Sequence, residues 1–192
     1  KDHGVWRAVS WKQWLERAKE IAYALNADGF RPGDVVSILA NTTPEWVYAD
    51  MGALCAGGMS SGIYPTDSAK QVEYLINDSR TSVVFVEDDE QLDKVLECRE
   101  RCPTLRRIVV FDMEGLRDFA DADVVSLAAF MAQGRAHMAG REALWNEMIE
   151  ARKPSDLAIL VYTSGTTGPP KGAMHSHKGV GVQMAHADAL FP

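Results

Sequence analysis

The chain has 192 residues, 46% hydrophobic and 24% charged, a balance that excludes disorder, collagen-like repeats and coiled-coil rods. Twenty Lys and Arg against 27 Asp and Glu leave a net charge of −7. That excludes a general attraction to nucleic acid or anionic lipid, so any anionic ligand must be held by a local device.

Segments alternate in type along the chain. Ser10-Trp11-Lys12-Gln13 reads as a capping box, and Trp11, Trp14, Leu15, Ala18, Ile21, Ala22 and Leu25 recur behind it at helical spacing. Asp28 to Asp34 is a turn, and Val35 to Leu39 predicts a buried strand. Thr43-Pro44 opens a second helix, with the hydroxyl at the N-cap and proline where its missing N–H costs nothing; Gly57-Gly58 stops it. Gly62-Ile63-Tyr64 is short and strand-like, Ser68-Ala69-Lys70-Gln71 is a second capping box opening a helix to about Asp78, and Ser82 to Val86 is a strand.

The acidic run Glu87-Asp88-Asp89-Glu90 could face a metal or a basic partner. The better reading is a helix N-terminus, because acids there and bases near Arg99-Glu100-Arg101 offset the macrodipole. Arg107 to Phe111 is the next strand, Asp112 to Asp123 an acidic loop, and Ser126 to Gln133 and Arg141 to Ala151 are helical. Pro154 ends the second of these, and Leu157 to Thr163 is a strongly apolar strand. Strands separated by helices of this length imply an α/β fold: βαβ units in a parallel sheet with helices on both faces. A chain of this length buries roughly 70% of its unfolded surface, enough for a core.

Chemistry concentrates in Tyr162-Thr163-Ser164-Gly165-Thr166-Thr167-Gly168-Pro169-Pro170-Lys171-Gly172. An apolar strand runs straight into a loop of hydroxyls and glycines that exits at a lysine. Gly165 and Gly168 let backbone N–H groups turn towards a phosphate. Thr163, Ser164, Thr166 and Thr167 supply hydroxyls for phosphate oxygens or Mg2+. Lys171 brings a local positive charge to the loop of a chain whose net charge is negative. The segment does not fit the usual NTPase loop: counting from Gly165, that loop needs Gly, Lys and Ser or Thr at the sixth to eighth positions, where Pro170, Lys171 and Gly172 stand, so only the lysine matches.

Other candidates have plainer readings. Cys55, Cys98 and Cys102 lack partners at zinc spacing and read as reduced thiols, although Cys98 and Cys102 could share a helix face. His175 and His177 would share a face of an extended chain and could bind metal, but capping by Ser176 and packing suffice. The five tryptophans read as core and helix anchors rather than an aromatic binding stripe.

Tyr162 to Gly172 closely resembles the phosphate-binding signature of the adenylate-forming enzymes, the superfamily of acyl-CoA synthetases, luciferases and adenylation domains. Val9-Ser10-Trp11-Lys12-Gln13-Trp14 resembles the first core motif of that family. Leu54-Cys55-Ala56-Gly57-Gly58 through Tyr64-Pro65-Thr66-Asp67 resembles the second, in the family's order and spacing. Asn41-Thr42-Thr43-Pro44-Glu45-Trp46 and Gly62-Ile63-Tyr64-Pro65-Thr66 look most like long-chain fatty acid–CoA ligases.

The resemblance implies ATP-dependent activation of a long-chain fatty acid to an acyl-adenylate and then acyl-CoA, with ATP, Mg2+ and coenzyme A as the small molecules involved. Thr163, Ser164, Gly165, Thr166, Thr167, Gly168 and Lys171 would cradle the phosphates, with Lys171 catalytic and Thr166 the Mg2+ ligand. The alternatives are a ligase or adenylation domain for another acid, or a non-catalytic nucleotide-binding module.

Residues 1–192 would be part of the large N-terminal domain, ending after the phosphate-binding loop. The chain starts at Lys1 without a Met and stops at Pro192, like a piece of something longer. The resemblance places the adenine motif, a second Mg2+ ligand and the small C-terminal domain beyond residue 192, so the chain alone is expected not to form acyl-CoA. An exposed edge or apolar face would favour self-association into homo-oligomers. No apolar run reaches the ~20 residues that span a bilayer and no signal peptide is evident, so the expected location is cytoplasmic. Peripheral membrane contact would suit a long-chain acid but leaves no mark on an acidic chain.

Overall fold

Local signals set the helix starts. Helix α1 (Trp11–Ala27) begins where Ser10 Oγ accepts the Gln13 N–H at 3.2 Å while the Ser10 N–H donates to Gln13 Oε1 at 2.9 Å. The same reciprocal pair, Ser68 with Gln71, opens α3 (Ala69–Ser79), and Thr43 caps α2 (Pro44–Cys55). Asp88 caps α4 (Asp89–Cys98) and puts Asp89 and Glu90 in its first turn, which accounts for the acidic run. The computed structural model describes residues 6, 8–163 and 168–190, with 187–190 as backbone only.

Seven strands form one sheet: β1 (Val35–Leu39), β2 (Met59–Ile63), β3 (Thr81–Val86), β4 (Arg107–Val110), β5 (Val124–Ser126), β6 (Leu157–Thr163) and β7 (Lys171–Ser176), in the order β5-β4-β3-β1-β2-β6-β7. All neighbours are parallel except β6 and β7. Side chains alternate across the sheet with period two. Val36, Ile38, Val83, Phe85 and Val109 pack under α1, α2 and α5 (Leu127–Met138), with Ile21, Leu25, Ala49, Ala53 and Phe130. Leu39, Val84, Val86, Ile108 and Val110 pack on the other face under α3 and α4, with Val72, Leu75, Ile76, Leu92 and Val95. The expected α/β architecture, a parallel sheet with helices on both faces, is therefore observed apart from the antiparallel β7.

Three differences have physical causes. Helix α5 runs on to Met138, past the expected end at Gln133, because Gly134 does not stop it. A Cβ there would lie 1.8 Å from the Glu20 carbonyl oxygen, so glycine is what lets α5 cross α1 at backbone contact. Strand β5 rises out of the end of the expected acidic loop; three residues pairing with β4 are too short to show in a pattern. Strand β7 went unforeseen, and it makes the sheet mixed rather than wholly parallel. Its sequence, Lys-Gly-Ala-Met-His-Ser, has little strand propensity and is extended because it pairs back onto β6. Helices α6 (Glu142–Glu150) and α7 (His177–Leu190) complete the order.

Two tryptophans depart from the anchoring role. Trp46 and Trp145 pack against the core, but Trp6 is 80% and Trp11 78% exposed, with the Trp11 ring leaning on Trp14. The three cysteines are unpaired. Cys98 ends α4, and Cys102 follows a 3-10 turn into the same core. Burial pushes the Cys98 thiol up to about 12 and Cys55 to about 11.

Candidate phosphate-binding site

The strand–loop–strand unit is a hairpin. Its ladder runs from Leu157↔Ser176 through Val161↔Ala173 and Tyr162↔Gly172 to a last rung at Thr163↔Lys171. Thr163 and Lys171 thus stand side by side at the carboxyl end of β6, the end at which β1 and β2 also finish. Both side chains are exposed, and neither makes a hydrogen bond or ion pair with a described residue. Gly168 adopts φ +104°, a conformation L residues rarely take, with none of the described residues within 4 Å of where a Cβ would sit. The requirement for glycine there is conformational, not steric. Ser164, Gly165, Thr166 and Thr167 lie outside the described residues.

The carboxyl ends of β1, β2 and β6 gather the other motifs. β1 is followed in the chain by β2 on one side of it and by β3 on the other, the kind of switch point at which open α/β sheets place ligands. Asn41 bridges it, its backbone N–H and Nδ2 both donating to Glu87 Oε2 at 2.6 and 2.8 Å. A cleft of about 320 Å³ there is lined by Asn41, Thr42, Trp46, Tyr64 and Tyr162. A second, of about 700 Å³, lies between α3 and the hairpin, lined by Lys70, Tyr74, Val161, Tyr162, Thr163 and Pro169. Both volumes are of small-molecule size. The segments 41–46 and 64–67, with Thr163 and residues 169–171, distant in sequence, therefore meet at one end of the sheet. The Val9–Trp14 motif lines neither cleft.

Two tyrosines bind the hairpin to α3: Tyr74, which the sequence did not single out, and Tyr162, which it marked only as the first residue of the signature. Tyr74 Oη donates to the Pro170 carbonyl at 2.8 Å, and Tyr162 Oη donates to Asp78 Oδ2 at 2.7 Å. Burial and the neighbouring Asp78 carboxylate raise the Tyr162 hydroxyl well above the usual tyrosine range, so it remains a donor. The only sequence signal is the spacing of Tyr74 and Asp78, four apart on one helix. His175 sits on β7, while His177 begins α7 with its N–H donating to the Asp156 carbonyl. Ser176 Oγ accepts the Gly179 N–H at 3.2 Å, the capping role expected of it. Among the described residues no cluster of three His, Cys, Asp or Glu could hold a metal ion. Among them, too, no helix is long and apolar enough to cross a membrane.

The AMP-binding enzyme family matches residues 2–190, and the chain belongs to it. Its relatives include the long-chain-fatty-acid–CoA ligase ACSBG2 of Xenopus laevis, 33% identical over 175 residues, which are 91% of this chain and 23% of that protein. The long-chain-fatty-acid–CoA ligase ACSBG1 of Bos taurus is 33% identical over 180 residues, 94% of this chain and 24% of that protein. The chain thus spans roughly a quarter of the length of these relatives. Among solved structures, the anthranilate CoA ligase AuaEII in complex with anthranoyl-AMP superposes with a TM-score of 0.72 at 26% identity, over 90% of this chain and 30% of that one. The Brucella canis acyl-CoA synthetase gives 0.72 at 20% identity over 93% and 30%, a likeness of fold. The mostly parallel seven-strand sheet is that of the N-terminal domain of adenylate-forming enzymes.

Proposed function

We propose that the chain is the phosphate-binding portion of an AMP-forming long-chain fatty acid–CoA ligase. The observation that carries this reading is the hairpin: a glycine at φ +104° leads to Lys171, which has no ion-pair partner among the described residues and stands at the last rung opposite Thr163. Membership of the AMP-binding enzyme family and relatives named as long-chain-fatty-acid–CoA ligases support it.

In this reading a carboxylate oxygen attacks the α-phosphorus of ATP, the bond to the bridging oxygen breaks, and pyrophosphate leaves. The CoA thiol then attacks the acyl carbon, and AMP departs. This chain's part is electrostatic. Thr163, Ser164, Gly165, Thr166, Thr167 and Gly168 present hydroxyls and N–H groups to the β and γ phosphates, and Lys171 opposes the charge that builds on the departing pyrophosphate. The donors fit such a group: an exposed ammonium and hydroxyl adjoin a small-molecule-sized cleft. Mg2+, when bound, would neutralise phosphate charge, with Thr166 as its ligand on this segment. Adenine, ribose and CoA contacts fall to other parts of the complete protein, so the 192-residue chain alone forms no acyl-CoA.

The test is ATP–pyrophosphate exchange by the complete protein across a panel of acids. Long-chain fatty acids should support it, and Lys171→Ala should slow it about 10²–10³-fold, the scale of one preorganised electrostatic donor. A preference for an aromatic acid would favour the second reading, a ligase for another acid, to which the likeness to an anthranilate CoA ligase points. A Lys171→Ala rate within about threefold of wild type would remove Lys171 from the mechanism, since the donor it replaces would then contribute almost nothing.

A further inference from the structure

Both ends of the phosphate loop are tied to one helix. Tyr162, the residue before Thr163, reaches Asp78, and Tyr74 reaches the carbonyl of Pro170, the residue before Lys171. Tyr74 and Asp78 lie one turn apart on the same face of α3. Helix α3 is itself a firm base: Val72, Leu75 and Ile76 are buried in the core, and its entry is held by the Ser68–Gln71 capping box. The turn before it is pinned where Lys94 Nζ donates to the Pro65 carbonyl at 2.5 Å.

The contact at Pro170 has a particular consequence. The Pro170 carbonyl and the Lys171 N–H belong to one rigid peptide plane, so fixing the oxygen fixes the plane from which Lys171 departs. Proline contributes no N–H of its own and holds its φ near −65°, which leaves that plane little other freedom. A hydroxyl on a core-anchored helix therefore governs the direction of the residue that opposes the phosphate charge. The Tyr74 ring also forms part of the wall of the 700 Å³ cleft, so it stands beside the site without carrying charge into it.

We infer that Tyr74 is a positioning residue for the phosphate site, acting through the Pro170 carbonyl to aim Lys171, with the Tyr162–Asp78 bond fixing the other end of the loop. The inference rests on the proposed function of Lys171. Tyr74→Phe retains the ring and the cleft wall and removes one O–H.

In ATP–pyrophosphate exchange by the complete protein, Tyr74→Phe should lower kcat/KM for MgATP about tenfold, the scale of one hydrogen bond, with KM for the acid unchanged. In a Lys171→Ala background the same substitution should change the rate less than about twofold, because the residue it aims is gone. A merely structural role would shift both KM values, or add its full effect in the double variant. Tyr162→Phe, which releases the other end, should show the same selectivity for MgATP and the same coupling to Lys171.

Backbone amide exchange reads the contact without turnover. The Lys171 amide should exchange faster in Tyr74→Phe, while the Val161 and Ala173 amides stay as in wild type. If wild-type protein exchanges pyrophosphate and Lys171→Ala is slow, but both phenylalanine variants match wild type in MgATP kinetics, the inference is overturned and the ligase reading stands. If wild type exchanges with no acid, the ligase reading fails and the inference falls with it.

Discussion

Gly168 offers a test in which conformation and space are separable. Its φ of +104° is one that an L residue adopts only with strain, yet a Cβ there would meet none of the described residues within 4 Å. Gly168→Ala therefore adds no clash with a described residue, and its effect is conformational, about 1–2 kcal/mol for a residue held in such a region. Gly168 and Pro169 are exposed, outside the packed core, so the cost should appear when a phosphate demands the native turn rather than in the fold itself. At 1.4 kcal/mol per tenfold, MgATP affinity should fall about 5–30-fold while Tm stays near wild type. Gly181 on α7 is the control, since it too has open space but no positive φ. Gly181→Ala should leave affinity unchanged and raise stability slightly, by up to about 1 kcal/mol of helix propensity. Calorimetric titration of the complete protein with MgATP, beside thermal melts, measures both. Gly168→Ala binding within about twofold of wild type would refute the reasoning, because the φ-dependent cost would then be absent from the bound state.

Other outcomes follow from the packing and the buried groups. Gly134→Ala sets a methyl 1.8 Å from the Glu20 carbonyl oxygen, and overpacking of about 1–3 kcal/mol should outweigh the roughly 1 kcal/mol of propensity gained, so Tm falls; a higher Tm would contradict the backbone contact. Asp50 accepts a 2.5 Å hydrogen bond from Ser60 Oγ, and burial raises its carboxyl above the usual range despite that bond. A raised folded value means that the native state holds the proton more tightly, so the stability this gives is present below the unfolded pKa and is lost as pH rises through the folded one. Asp50→Asn should therefore equal wild type in acid and exceed it at neutral pH in urea titrations, and a constant gap across pH would contradict the burial argument. Cys98 and Cys55, with thiols near 12 and 11, should react with a thiol reagent at pH 8 far more slowly than in denaturant; equal rates would mean that these sites are open.

Legibility in the sequence tracked how local each cause was. The starts of α1, α2 and α3 could be read because a serine or threonine and its partner three residues on settle them alone. Strands β1 and β3 showed as apolar runs because parallel strands are buried on both faces, and β6 showed as one although only Ala158 and Leu160 of it are buried. Strand β7 was hidden because pairing with β6, not its own composition, extends it. Gly134 misled for a related reason: its role is set by Glu20, far away in the chain. At the site, Gly168 and Lys171 were legible from residue type. Tyr74 was not, because its partner Pro170 lies 96 residues away and a tyrosine on a helix face has no signature of its own.

The measurement that bears most directly on the central claim is the affinity of the complete protein for MgATP, with Lys171 and with alanine in its place. If the hairpin from Thr163 to Lys171 holds the phosphates, calorimetry should show binding that weakens at least about tenfold in Lys171→Ala, as expected for a charge-assisted contact. Equal affinity in the two proteins would place the phosphates elsewhere and contradict the account.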